Sequence, residues 1–179
     1  AEGIVTPMTY YYLGWCLHQG GLPGVKQAFD DAVKACPDYC FPNRLEAILA
    51  LQCAMEQNPN DARAPYYLGN LYYDKRQYDL SMEAWETSAR LDDSFPTVWR
   101  NLALAFFNKK NEEAKAIECM ERAFRLDSTD ARILMELDQL YKRVRRSHKE
   151  RLAFLQQYPD LIKQRDDLIL EEITLLNQT

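Results

Sequence analysis

Histidine is nearly absent from these 179 residues: only His18 and His148 occur. That weighs against a nitrogen-ligated metal centre and against a histidine-based nucleophilic triad. No Gly-x-Ser-x-Gly, phosphate-binding loop or His-Glu-x-x-His motif is present either, so the usual residue patterns for acyl transfer, nucleotide hydrolysis and zinc proteolysis are missing. A basic excess is also lacking. Lys and Arg number 22 against 27 Asp and Glu, a formal charge of −5, which argues against a general nucleic-acid binder. No apolar run approaches the roughly 18 residues of a membrane span, and no signal peptide is visible. The chain opens Ala-Glu-Gly without a Met and reads as part of a longer protein. Its five cysteines, Cys16, Cys36, Cys40, Cys53 and Cys119, are odd in number and scattered, a poor disulfide framework. They read as reduced, packing cysteines, with a cytoplasmic setting favoured. Neither a metal nor a cofactor is expected, and catalysis by this segment is not expected. Adjacent acids such as Asp30-Asp31, Glu112-Glu113 and Asp166-Asp167 do not face one another on a helix and so form no acid/base pair.

What the chain does contain is helical periodicity that returns at a fixed spacing. The organising stretch runs over 62–95 and holds two apolar stripes joined by a short polar turn. Leu68-Gly69-x-x-Tyr72 opens it, and Trp85 and Leu91 follow on the second stripe. A small residue at Gly69 lets a second helix approach, and Tyr72 and Trp85 fill the space between the two. Neither helix can bury its stripe alone, so neighbouring units must cover it. Pro65 falls in a first helical turn, where its missing N–H is tolerated. Ser81 and Ser88 stand at small positions.

The same spacing recurs before and after. Thr6-Pro7 predicts a helix start. Tyr10-x-x-Leu13-Gly14-x-x-Leu17 follows, Gly20-Gly21 stops the helix, and Val25, Phe29, Ala32 and Val33 predict its partner, so that 6–37 is one helical pair. At 38–57 a connector with Tyr39, Phe41 and Pro42 precedes a single helix over 43–57. The two aromatics are expected to pack on the helices, and this irregular half-repeat is expected to break regular stacking. Trp99-x-x-Leu102-Ala103-x-x-Phe106, with Ala116, Met120 and Ala123, marks a unit at 96–130 carrying one extra turn residue near Lys110-Asn111. Leu134-x-x-Leu137-Asp138-x-x-Tyr141 marks another at 131–159. Its second helix opens on the capping box Ser147-His148-Lys149-Glu150 and is expected to be cut short by Pro159. Asp138 at the small position must loosen its helix pair or find a polar partner. A last helix at about 161–178 is apolar on more than one face and reads as a truncated repeat within 160–179, which predicts self-association.

These spacings resemble the tetratricopeptide repeat, whose pattern is Trp-x-x-Leu-Gly-x-x-Tyr, Ala-x-x-x-Phe, Pro. The resemblance implies an all-α, right-handed tetratricopeptide-like superhelix (a solenoid of about nine or ten helices) spanning 1–179 as a single repeat domain. It also implies that the first helix of each pair lines a concave groove. By register the groove would offer Tyr11, Tyr12 and Trp15, then Tyr66, Tyr67, Asn70 and Tyr73, then Arg100 and Asn101, then Arg132, Lys142 and Arg143. Aromatics mixed with hydrogen-bonding groups suit a protein or peptide contact. The alternative is that these rings pack between helices. One class of such repeats clamps a peptide carboxylate. Asn70, Asn101 and Arg132 match three of its positions, while Tyr66 replaces a Lys and Glu136 an Arg, which disfavours that clamp.

The segments DYCFPNRLEAI, NDARAPYYLGNLYYDKRQY, ILMELDQLYKR and ERLAFLQQYPDLIKQRDDL further resemble the tetratricopeptide region of large bacterial proteins that carry the β-rich domain called DUF5107. That would make this chain an accessory module of a carbohydrate-active or carbohydrate-binding protein, with the chemistry elsewhere. The leading expectation is a non-catalytic protein–protein interaction scaffold whose partner is an acidic protein or peptide, or another domain of the same protein, and not nucleic acid or membrane. Lys142 to Arg151, with six basic residues and one Glu, reads either as a solvated helix end and turn or as an acidic partner's site.

Overall fold

The computed structural model describes residues 5–37 and 40–178. Among them the fold is all-α, with eleven α-helices and no strand. In order they are α1 (Pro7–Gln19), α2 (Val25–Lys34), α3 (Glu46–Gln57), α4 (Arg63–Asp74), α5 (Tyr78–Leu91), α6 (Pro96–Ala105), α7 (Glu113–Leu126), α8 (Ala131–Arg143), α9 (His148–Leu155), α10 (Pro159–Ile162) and α11 (Asp166–Leu176). They fall into two compact units, Ala1–Asp93 and Ser94–Thr179.

In the first unit α1 packs on α2, α4 packs on α5, and α3 lies against both α1 and α4. Gly69 is where α5 comes closest: a Cβ there would stand 2.5 Å from Cδ1 of Trp85. Gly14 has the same function under Phe29, whose Cδ1 would lie 2.7 Å from a Cβ. The two serines at small positions do more than fit. Ser81 Oγ donates to the Gly69 carbonyl at 2.8 Å and Ser88 Oγ to that of Ala62 at 2.7 Å, tying α5 to its partner. The core centres on Tyr11, Phe29, Leu51, Tyr67 and Leu71, all fully buried. Tyr11 donates to the buried Asp61 at 2.8 Å, and the same carboxylate accepts the first amides of α4, from Arg63 at 2.8 Å and Ala64 at 3.2 Å.

The connector differs from expectation. Phe41 is 74% exposed, whereas Cys40 and Pro42 are buried. These two turn inward, and the aromatic between them turns out. Tyr39 lies outside the described residues. Arg63 instead fastens the end of α2, its Nη1 donating to the Ala35 carbonyl at 2.8 Å.

In the second unit α6 packs on α7, α7 on α8, α8 on α9, and α9 on α11, with the short α10 against α8 and α11. The extra turn residue after α6 is absorbed by a π-helical turn, Phe106–Lys110, closed by Asn111 at φ +56°. Asn tolerates that left-handed conformation better than most residues. The capping box at Ser147 forms as the residues dictate: Ser147 Oγ accepts from the Glu150 amide, and the Glu150 carboxylate accepts from the Ser147 amide at 3.0 Å. Pro159 opens α10 rather than cutting α9, and the expected single helix over 161–178 is instead two, α10 and α11, separated by the turn 163–165. On α11, Leu168 and Leu175 are buried, and Leu170, Ile173 and Leu176 are exposed.

Candidate protein-binding surface

In the first unit the residues predicted to line a groove divide sharply. Tyr11 and Tyr67 are fully buried and belong to the core, a correction to their place on a contact surface. Their rings meet edge-on at 6.0 Å. Tyr67 is covered because α1 and α3 both reach α4, a consequence of the irregular segment that repeat register does not show. Its hydroxyl is buried without a hydrogen-bond partner among the described residues, with the Cys40 thiol nearby, and burial pushes both phenols well above the usual tyrosine range. Tyr12 and Trp15 are half-buried against the same core. Tyr66 is half-buried with its ring 5.2 Å from that of Tyr67. Tyr73 lies between Tyr78 at 5.2 Å and Trp85 at 5.4 Å. Asn70 Oδ1 accepts the Trp85 indole N–H at 3.0 Å. Much of the aromatic surface is therefore engaged in packing, Tyr73 against α5 and Tyr12, Trp15 and Tyr66 against the core, and each of these four rings is only partly open to solvent.

In the second unit the first-helix side chains form a charged group. Arg100 forks onto Glu136 through Nε at 2.5 Å and through Nη2. Arg132 Nε reaches the same carboxylate at 3.1 Å. The second of these contacts follows from i,i+4 spacing. The first joins residues 36 apart and is not legible from local sequence. One carboxylate thus serves two guanidiniums, next to the half-buried Asn101 in sequence, and the Asp130 carboxylate accepts the Arg132 amide at 2.7 Å. Lys142 engages Glu171 at 2.8 Å, and Arg143 sits 5.3 Å from the Phe107 ring.

The basic run after Lys142 also divides. Arg151 is not a surface cation: only 2% of its side chain is exposed. It forks onto the buried Asp138 at 3.0 and 2.5 Å and reaches Glu171 at 2.6 Å. Asp138 at the small position therefore finds its polar partner 13 residues away. Burial holds the Asp138 carboxyl above the usual carboxylate range, and the Arg151 fork offsets only part of the rise. Burial also acts to raise Glu171, but Lys142 and Arg151 hold its carboxyl below the usual range. Arg146 stacks 3.6 Å from the Tyr141 ring centre.

Among the described residues no cluster of His, Cys, Asp and Glu is arranged to hold a metal ion, and no helix is long and apolar enough to cross a membrane. No family model matches the chain. Its architecture is similar to solved structures of helical repeat proteins. MamA (residues 41 to the end) from Desulfovibrio magneticus RS-1 is 20% identical with a TM-score of 0.56, over 89% of this chain and 77% of that one. The Arabidopsis OM64 TPR domain is 18% identical with a TM-score of 0.55, over 66% of this chain and 96% of that one. A further MamA crystal structure is 18% identical at 0.54, over 85% and 89%. The fold is a tetratricopeptide one.

Proposed function

We propose that this chain is a non-catalytic protein-interaction scaffold that presents its first-helix faces to an acidic or carboxylate-bearing segment. A fold of this kind supports a protein-binding role in general. The observation that carries the acidic preference is the Arg100–Glu136–Arg132 group, in which two guanidiniums share one carboxylate. Asn101 beside it can both donate and accept, which suits an extended backbone. In the first unit, Tyr12, Trp15, Tyr66 and Tyr73, each half-buried, offer a separate area of rigid aromatic contact at small entropic cost. Tyr11 and Tyr67 drop out of this surface, and Lys142 contributes only what Glu171 leaves it.

The test is affinity for a partner captured by crosslinking in the source cell, wild type against the Asn101→Ala, Arg132→Ala double variant, at two salt concentrations. Arg100 still engages Glu136 in that variant, and a melting temperature close to wild type is the check that the fold is kept. The reading expects weaker binding in the variant and weaker wild-type binding in added salt. Equal affinity in both, with loss on altering the second-helix faces, overturns it. The likeness of four segments to the helical region of DUF5107-containing proteins supports a second form of the same role, docking of a β-rich, carbohydrate-related domain of the same protein. A stable complex on adding that domain in trans is its test. The exposed Leu170, Ile173 and Leu176 on α11 support self-association, read by light scattering against concentration.

A further inference from the structure

The corner between α8 and α9 holds an open cleft of about 450 Å³ lined by Lys142, Arg145, Arg146, Ser147, His148 and Arg151. The Glu150 carboxylate stands at its edge, where it accepts from Ser147 Oγ at 2.6 Å. The acids that engage its cations do so from outside the lining: Glu171 holds Lys142 and Arg151, Asp138 holds Arg151, and Glu121 accepts from Arg146 at 3.4 Å. Three of the cations are thereby fixed in place. Arg145 and His148 engage no carboxylate among the described residues. The first amides of α9, on His148 and Lys149, likewise donate to no acceptor among the described residues.

We propose that this cleft binds a phosphate monoester dianion, presented on a serine or threonine of a partner peptide. A compact dianion matches several converging guanidinium and ammonium donors that are already oriented by packing and ion pairs. The cleft is larger than a bare phosphate needs, leaving room for the residue that carries it. An extended polyanion is a poorer match, because the basic surface is confined to one corner of a chain whose formal charge is −5. The corner between α4 and α5 is a natural control. It is built on the same backbone turn, but there Asp74 pairs with Lys75 at 2.7 Å and Gln77 follows Arg76. The proposal rests on Arg145 and the start of α9 and shares only Lys142 with the first-helix surface.

The experiment is an amide NMR titration of the whole chain at about 0.15 M salt, with inorganic phosphate, a short phosphoserine peptide and its unphosphorylated counterpart. The expected result is saturable shifts at 145–150, tighter for the phosphopeptide than for inorganic phosphate, and none for the unphosphorylated peptide. Arg145→Gly removes the unengaged cation at a left-handed residue, φ +62°, which glycine adopts without strain, so the fold survives. It should weaken phosphopeptide binding about tenfold, while Asn101→Ala with Arg132→Ala leaves it unchanged. Absence of shifts at this corner, equal affinity in Arg145→Gly, or tighter binding of a single-stranded oligonucleotide at the same amides overturns the proposal.

Discussion

The α4–α5 and α8–α9 pairs meet the same requirement by opposite chemistry. Both carry Leu-x-x-x-Tyr on the first helix, with the residue after Leu facing the partner helix. In α4 that residue is Gly69, and the absent side chain admits Trp85, which is 3% exposed. In α8 it is Asp138, fully buried, and its carboxylate is met by the fork of Arg151. The first pair is held by close approach, with neutral hydrogen bonds from Ser81 and Trp85, the second by a buried ion pair that Glu171 extends. Between them, α6 and α7 carry the small Ala103 and Ala116, both fully buried, where the other two pairs carry a glycine or a carboxylate. The repeat thus constrains the volume and contact at this crossing, not the polarity.

The contrast is broken most severely by removing one partner on each side. Arg151→Ala leaves the Asp138 carboxylate buried without its cation, a loss of about 3–5 kcal/mol. Replacing both, Asp138→Ala with Arg151→Met, is expected to restore most of that, since a buried pair is often matched by apolar residues of similar size. Thermal unfolding of the single and double variants checks both statements. A double variant as unstable as the single would mean that the pair holds α8–α9 by more than mutual compensation. Trp85→Ala removes a buried ring and its indole bond to Asn70, with a loss of about 3–5 kcal/mol.

A smaller effect tests the other side of the same crossing. Gly69→Ala puts a methyl against Cδ1 and Nε1 of Trp85 and 3.0 Å from the Ser81 carbonyl. The expected cost is about 1–3 kcal/mol from overpacking, and a denaturant midpoint equal to wild type would show that α5 can move away freely. Trp99 marks the limit of the pattern. It occupies the first aromatic position of its unit, which predicts a ring between helices. The structure leaves it half-buried beneath the Arg122 guanidinium at 4.0 Å. Trp99→Ala should therefore cost only about 1–2 kcal/mol, clearly less than Trp85→Ala.

What was legible in the sequence follows from the range of each interaction. Helix pairing was carried by periodicity and by Gly14, Gly69, Ala103 and the Ser147 capping box, all local signals. The i,i+4 contact of Arg132 with Glu136 was equally local. Arg100 with the same Glu136, and Arg151 with Asp138, are cross-helix pairs in which many cations were candidates, so sequence could require a partner for Asp138 without choosing it. Tyr66 and Tyr67 are neighbours about 100° apart on one helix, and only the placement of α3 and Tyr11 decides that one is core and the other part of a surface. The aromatic Phe41 failed for a related reason, since its burial depends on the path of an irregular connector.

The least effect concerns the turns, where the two pairs agree although their cores differ. After α4 the amides of Lys75, Arg76 and Gln77 donate to the carbonyls of Leu71, Tyr73 and Tyr72 at 3.0, 3.0 and 2.8 Å. After α8, Val144, Arg145 and Arg146 donate to Leu140, Lys142 and Tyr141 at 3.0, 3.1 and 3.0 Å. The same three bonds close α1, from Gly20, Gly21 and Leu22. In each case the middle residue is left-handed, with φ of +60° at Gly21, +60° at Arg76 and +62° at Arg145. This is the helix stop in which glycine is usual, because a side chain there crowds the following carbonyl. Only the first turn uses glycine, and the two arginines sit where glycine would relieve the crowding, at the smaller cost of a freer unfolded chain. Arg76→Gly should therefore raise stability by about 0.5–1 kcal/mol. Arg145→Gly should match it, because neither guanidinium makes a hydrogen bond or ion pair with the described residues. Melting temperatures of the two variants read the comparison directly. A gain at Arg76 without one at Arg145 would show that the Arg145 side chain stabilises its own corner, and the two turns would then be alike in backbone only.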